Sequence, residues 1–260
     1  MSLSTFLGVT YVTLWSLSFY PPLIVNFKLK SSDAISIDFL LLNTLGYVTY
    51  FISLFLQLYS STVRVLYKHY YHGLPLLSAI DLLFVAHGLI LNLITLSQLY
   101  CYRVWNFKRR SLRISFPTYL FFFVFFAFQA TYYILSIKDA TTYNLMVYTV
   151  NLSLWKVTIS FIKYLPQLYF NFKRKSMIGY PIMSIWLDLL GGIFAMLQLF
   201  YDYSLVSAKW DLLVLVSNNK GKFWLSMVTF FFDFCFIVQY YFVYPSRAVN
   251  HEEDKMMSRV

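Results

Sequence analysis

Charge is scarce in this sequence. Asp, Glu, Lys and Arg make up 12% of its 260 residues, against about 25% in a soluble globular domain. So little charge cannot coat a water-exposed surface, and 59% hydrophobic content leaves a membrane as the solvent. Cysteine is scarcer still. Cys101 and Cys235 are the only two, which excludes a disulfide framework and a thiolate metal cage; both read as structural residues in or beside apolar segments. Phosphate loops, nucleophile elbows and metal-ligand signatures are missing as well, which argues against an enzyme. Acidic residues are outnumbered 11 to 21 by Lys and Arg, giving a net charge of +10. The basic residues fall in short clusters between apolar runs, as loops beside membrane spans do, so no nucleic-acid partner is expected.

What is present is a series of apolar runs. Spans are expected at about 4–26, 35–58, 78–101, 116–136, 144–170, 180–202 and 223–244, each near the roughly 20 residues a crossing needs. The first lacks a basic leader and carries Pro21-Pro22, so it reads as a retained span rather than a cleaved signal. Seven crossings put the termini on opposite sides. One set of loops plus the tail 245–260 holds 13 Lys and Arg, the opposite set 6. The richer side is expected to be cytosolic, with the N-terminus lumenal and the C-terminus cytosolic.

The chain also repeats itself. "YPPLIVNFKLKSSDAISIDFLLLNTLGY" from Tyr20 and "LPQLYFNFKRKSMIGYPIMSIWLDLLGG" from Leu165 align at an offset of 145 without a gap. Pairs include Pro21/Pro166, Asn26/Asn171, Lys28/Lys173, Lys30/Lys175 and Gly46/Gly191. The offset advances four spans, which restores direction, so the repeats are parallel. The expected fold is all-α: repeat 1 over about 4–101, a linker helix at 116–136 and repeat 2 over 144–244. Parallel repeats of this kind are one plan of membrane transporters, with the substrate between the halves. Pro21 and Pro166, followed in the second repeat by Gln167, bend their helices near the cytosolic end and form candidate hinges.

Ionisable residues inside spans cost at least about 2.5 kcal/mol each and mark partners or cavities. They are Asp81 in span 3, Lys156 and Lys163 in span 5, Asp188 in span 6 and Asp233 in span 7. Lys156 and Lys163 are two helical turns apart and share a face. Asp188 lies opposite Asn43 in the repeat, a polar residue in each half. A lysine can hold a substrate carboxylate and an aspartate an ammonium or a proton; the alternative is ion pairs that only tether helices. His69 and His72 are three apart, but no third ligand accompanies them, and a loop reading is preferred to a metal site.

These motifs resemble the PQ-loop proteins. "KYLPQLYFNFKRKSMIGYPI", "LDLLGGIFAMLQ" and "FFFDFCFIVQYY" resemble the cystinosin family in particular, including its fungal members, over about residues 18–244. The resemblance implies transport of L-cystine from an acidic vacuolar, lysosomal or endosomal lumen to the cytosol. Protons serve as the coupling ion, with no further cofactor. It implies substrate contacts by Asn43, Lys156, Lys163, Tyr164 and Asp188. It makes Asp188 the proton-coupling aspartate, with Asp81 and Asp233 as further ones. Two positions depart from the family pattern. Pro22 replaces the glutamine of the first motif, and Ser184 stands where a substrate-contacting asparagine is usual. Two other readings of the same plan are a transporter of another amino acid or a sugar, and a receptor that sorts lumenal cargo.

Overall fold

A computed structural model describes residues 2–72, 77, 79–206 and 220–245. The tail residues 246–260, with Arg247, Lys255 and Arg259, lie outside this set, as does Lys209. The described residues form helices α1 (Leu3–Leu17), α2 (Tyr20–Leu29), α3 (Ile37–Tyr59), α4 (Ser61–Tyr71) and α5 (Ala79–Tyr100). They continue with α6 (Phe116–Lys138), α7 (Leu145–Ile162), α8 (Tyr164–Arg174), α9 (Ile182–Val206) and α10 (Lys220–Val238), which runs into a π-helical turn, Gln239–Val243. The fold is all-helical, as the sequence predicts.

Among the described residues, six segments are long and apolar enough to cross a membrane. The first expected span is not one continuous helix. It divides into α1, of 15 residues, and α2, of 10. Pro21 and Pro22 explain the division. A proline has no N–H for the i−4 carbonyl and its ring clashes there, but it fits the first turn of a new helix. The second repeat breaks likewise at Lys163, three residues before Pro166, which sits in the first turn of α8. At both breaks the intervening residues Ser18, Phe19 and Lys163 keep right-handed helical angles, so each proline sits at a bend in a helical run.

The 145-residue offset holds in three dimensions. α1 ends at Leu17 and α7 at Ile162; α3 starts at Ile37 and α9 at Ile182. Lys30 and Lys175 end their helices in the left-handed conformation at φ 49° and 51°. An amide pair recurs as well, its glutamines 141 rather than 145 residues apart. Asn26 Nδ2 donates to Gln98 Oε1 at 2.9 Å, and Gln98 Nε2 to the Leu23 carbonyl at 3.3 Å. Asn171 Nδ2 donates to Gln239 Oε1 and Gln239 Nε2 to the Leu168 carbonyl, each at 3.1 Å. Each pair satisfies buried amides that would otherwise be costly in an apolar medium.

Two compact units emerge, and each draws on both repeats. One contains the described residues of Met1–Ser36, Ser97–Arg109 and Tyr164–Val260; the other contains Ile37–Leu96 and Arg110–Lys163. In the first, α1 and α10 pack on α9; in the second, α3 packs on α7. The second unit also holds the linker helix α6. Trp155 of α7 meets Phe121, Phe125 and Phe128 of α6 at ring centroids 5.7, 5.1 and 5.5 Å apart. The outer side of α6 exposes Phe116, Phe123, Phe126 and Tyr133, a surface suited to lipid. α4 continues from α3 through Ser60, whose hydroxyl caps it. Val63 is fully buried, and Arg64, Lys68 and His69 face outward.

Candidate functional site

In the unit formed by 37–96 and 110–163, a polar row runs across α5, α3 and α7. Lys163, at the C-cap of α7, donates from Nζ to Asn43 Oδ1 of α3 at 3.0 Å. Asn43 Nδ2 donates to Asn92 Oδ1 of α5 at 2.8 Å. Asn92 Nδ2 reaches Thr44 Oγ1 at 2.6 Å and the Leu40 carbonyl at 3.4 Å. Asn43 and Asn92 are both buried. The Lys163 ammonium also lies 5.9 Å from the Phe39 ring centroid. Lys156 Nζ sits 4.4 Å over the Tyr47 ring, a cation–π placement. Gly88 makes room for that ring, since a Cβ there would lie 2.8 Å from Tyr47 Cε1. This unit thus places two lysine ammonium groups against neutral partners, an amide and an aromatic face.

In the unit containing 1–36, 97–109 and 164–245, Asp188 of α9 accepts from the Tyr164 hydroxyl of α8 at 3.4 Å. The Asp188 backbone carbonyl accepts from Trp15 Nε1 of α1 at 3.2 Å. Gly191 lets that indole approach, since a Cβ there would meet its Nε1 at 2.7 Å. Gly192 seats Phe230 in the same manner, and α9 runs through both glycines without a break. Asp233 of α10 is fully buried. The Tyr164 ring packs, tilted by 33°, against the adjacent Phe232 with centroids 5.0 Å apart.

The two departures from the family pattern acquire local partners. Ser184 Oγ donates to the Ser18 carbonyl, in the break between α1 and α2. Ser18 is four residues before Pro22, so its carbonyl is one that a residue-22 N–H would normally bond in a helix. The Ser184 hydroxyl supplies the donor that Pro22 lacks. Gln167 accepts from Ser36 N at 2.7 Å and donates to the Ala34 carbonyl at 3.0 Å and to Asn171 Oδ1 at 2.9 Å. At the repeat offset, Gln167 corresponds to Pro22 and Ser36 to Pro181. In the first motif the amide is gone, and in the second loop the N–H it would have met is gone too.

Several residues stand elsewhere. Asp81 lies exposed in the first turn of α5, where the helix N-terminus favours an anion. Asp38, in the first turn of α3, is buried and accepts from Ser115 N at 2.9 Å ahead of α6. His69 packs edge-on to Tyr70, and His72 ends α4 in a left-handed turn. Among the described residues no group of three or more His, Cys, Asp or Glu is placed to hold a metal. Sequence reasoning missed Asn92, Gln98 and Gln239, because it weighed ionisable residues within spans and, of the neutral ones, only those marked by the repeat or the resemblance. The signal available was a lone amide in an apolar run, as in "LILNLITL".

Comparison with known proteins follows the same lines. A family model of the PQ loop repeat matches residues 3–63 and 148–208, two segments set 145 residues apart. A cystine transporter of Saccharomyces cerevisiae is 39% identical over 257 residues, covering 95% of this chain and 96% of that protein. A cystinosin homolog of Dictyostelium discoideum is 33% identical, covering 93% of this chain and 81% of its own length. Cystinosin of Bos taurus is 31% identical over 93% of this chain and 63% of its own length.

Proposed function

The chain belongs to the cystinosin family of PQ-loop membrane proteins, and on that premise we propose that it is a proton-coupled transporter carrying L-cystine from an acidic lumen to the cytosol. It is a multi-pass membrane protein and a transporter rather than an enzyme. The membrane we assign it to is vacuolar, lysosomal or endosomal, with the N-terminus lumenal and the C-terminus cytosolic, on the 13-to-6 asymmetry of its basic residues.

The observation that carries this reading is the Lys163 ammonium, held on Asn43 at the end of α7. Cystine offers two carboxylates and two ammonium groups. Lys163 and Lys156 supply cations for carboxylates, while Asn43, Tyr164 and Asp188 supply acceptors for ammonium N–H groups. Ser184 donates to Ser18, and its oxygen lone pairs remain a contact for a substrate N–H. Asp188 takes a proton on the acidic side and releases it on the neutral side, so loading and proton uptake go together. Asp81, exposed at the start of α5, and Asp233, buried in α10, are the further proton carriers in this reading. The breaks beside Pro21 and Pro166, with Gln167 gripping residues 34–36, are the hinges.

The test is uptake of labelled L-cystine into proteoliposomes under an imposed pH gradient, with other amino acids, sugars and peptides as competitors. Cystine uptake should follow the gradient and resist sugar competition. Lys163→Ala should abolish it at unchanged protein level, and Asp188→Asn should remove its pH dependence. Cystine uptake equal to that of empty vesicles would refute the substrate. Uptake that ignores the gradient would refute the coupling. Protease added outside intact vacuoles should remove a C-terminal tag; a protected tag would reverse the orientation.

A further inference from the structure

The geometry points to Asn92 as a positioning residue that makes Asn43 an obligatory hydrogen-bond acceptor in the binding site, an inference that rests on the transport reading above. The row Leu40–Thr44–Asn92–Asn43–Lys163 has a donor-only group at one end and an acceptor-only group at the other. Lys163 carries three N–H groups and no acceptor, and the Leu40 carbonyl can only accept. The Thr44 hydroxyl donates to Leu40 O at 2.7 Å. Its proton is therefore committed, and its oxygen accepts from Asn92 Nδ2 at 2.6 Å. With its amino end held there, and 3.4 Å from Leu40 O, Asn92 must turn Oδ1 toward Asn43. Asn43 then gives up its amino group to Asn92 at 2.8 Å and turns Oδ1 toward Lys163 at 3.0 Å. A flip of Asn92 would set its oxygen against two oxygens that have no proton to share. Both ends of the row thus impose the same direction.

This matters once a substrate carboxylate draws Lys163 away. Asn43 cannot then rotate to offer its amino group, because Asn92 still holds it. The site at that point presents an oxygen, which accepts from an ammonium N–H and repels a carboxylate. Asn92 touches no substrate; it sets the polarity of the residue that does. Asn92 is 7% exposed and Asn43 8%, so water does not readily replace either partner.

The experiment measures binding to the purified full chain in nanodiscs. Two ligands are compared: L-cystine, and 3,3′-dithiodipropionate, the same disulfide diacid without its amino groups. Asn92→Leu, of similar size but unable to accept, should weaken cystine about 10-fold and the diacid less than about 3-fold, as expected for one lost orienting hydrogen bond. Equal weakening of both ligands by Asn92→Leu, or of neither, overturns the inference. Should Asn92→Leu not fold, Asn92→Ser, too short to reach Asn43, takes its place. A second arm needs no ligand. The melting-temperature shifts of Asn92→Leu and Lys163→Met should be non-additive, because the two residues act through Asn43. Additive shifts overturn the inference. If the wild-type chain binds neither ligand, the transport reading falls on its own, and the thermal arm still decides the role of Asn92.

Discussion

Ser184→Ala removes one hydroxyl and tests whether Pro22 and Ser184 compensate each other. Ser18 is 5% exposed, and its carbonyl accepts from Ser184. Loss of that donor leaves a buried acceptor short of a partner, which costs about 1–3 kcal/mol. The size of the effect should depend on residue 22. In Pro22→Gln the backbone regains an N–H in register for the Ser18 carbonyl, and the same Ser184→Ala change should then cost less than about 0.5 kcal/mol. Thermal unfolding in detergent, followed by tryptophan fluorescence, provides the assay, and Trp15 lies one turn before the break. Ser184→Ala should lower the midpoint by roughly 3–8 °C in the native background and by about 1 °C or less in the Pro22→Gln background. Ser184→Asn keeps a donor and should fall between. Equal losses in both backgrounds would refute the compensation, and Ser184 would then stabilise the protein through something other than the carbonyl left by Pro22.

Gly191→Ala places a methyl against the Trp15 indole and should destabilise the packing of α1 on α9 by about 1–3 kcal/mol; a blue- or red-shifted tryptophan emission with a lower melting temperature would register it, and unchanged values of both would contradict the close approach. Gln239→Leu and Gln98→Leu each leave a buried asparagine without its amide partner, so each should cost about 1–3 kcal/mol, read as a lowered midpoint of thermal unfolding. Asp139, exposed after α6, accepts from the Thr141 hydroxyl and from the Thr141 and Thr142 N–H groups, which hold its carboxyl down at about 2 from 3.8. A lowered folded-state value means that its stabilising effect is present above 3.8 and is lost as pH falls toward 2. A carboxyl NMR titration should place the midpoint near 2, and Thr141→Val should move it upward.

The membrane class, the all-helical fold and the repeat were legible from residues alone, because each is written in local chemistry. Apolar runs of span length can only be helices in lipid, and an unbroken offset of 145 residues carries helix ends and left-handed caps with it. Lys163 and Asp188 were legible for a related reason: a charge in an apolar run is costly enough to be conspicuous in one dimension. Asn43 was legible through the repeat and Tyr164 through the resemblance, but the contacts that orient them were not. Asn92 meets Asn43 across 49 residues and Lys163 meets Asn43 across 120, and no local periodicity encodes such pairs. The departures at Pro22 and Ser184 each read as a loss in sequence. Folding brings the Ser184 hydroxyl to the Ser18 carbonyl that Pro22 cannot reach, 166 residues away. The two glycines after Asp188 are seats for Trp15 and Phe230. A missing side chain permits either bending or close approach, and only the neighbour that occupies the space decides which. Compaction was likewise invisible in the repeat pattern. Each repeat is contiguous in sequence, but α1 packs on α9 and α3 on α7, since an apolar helix face is satisfied by whichever complementary face the chain brings to it.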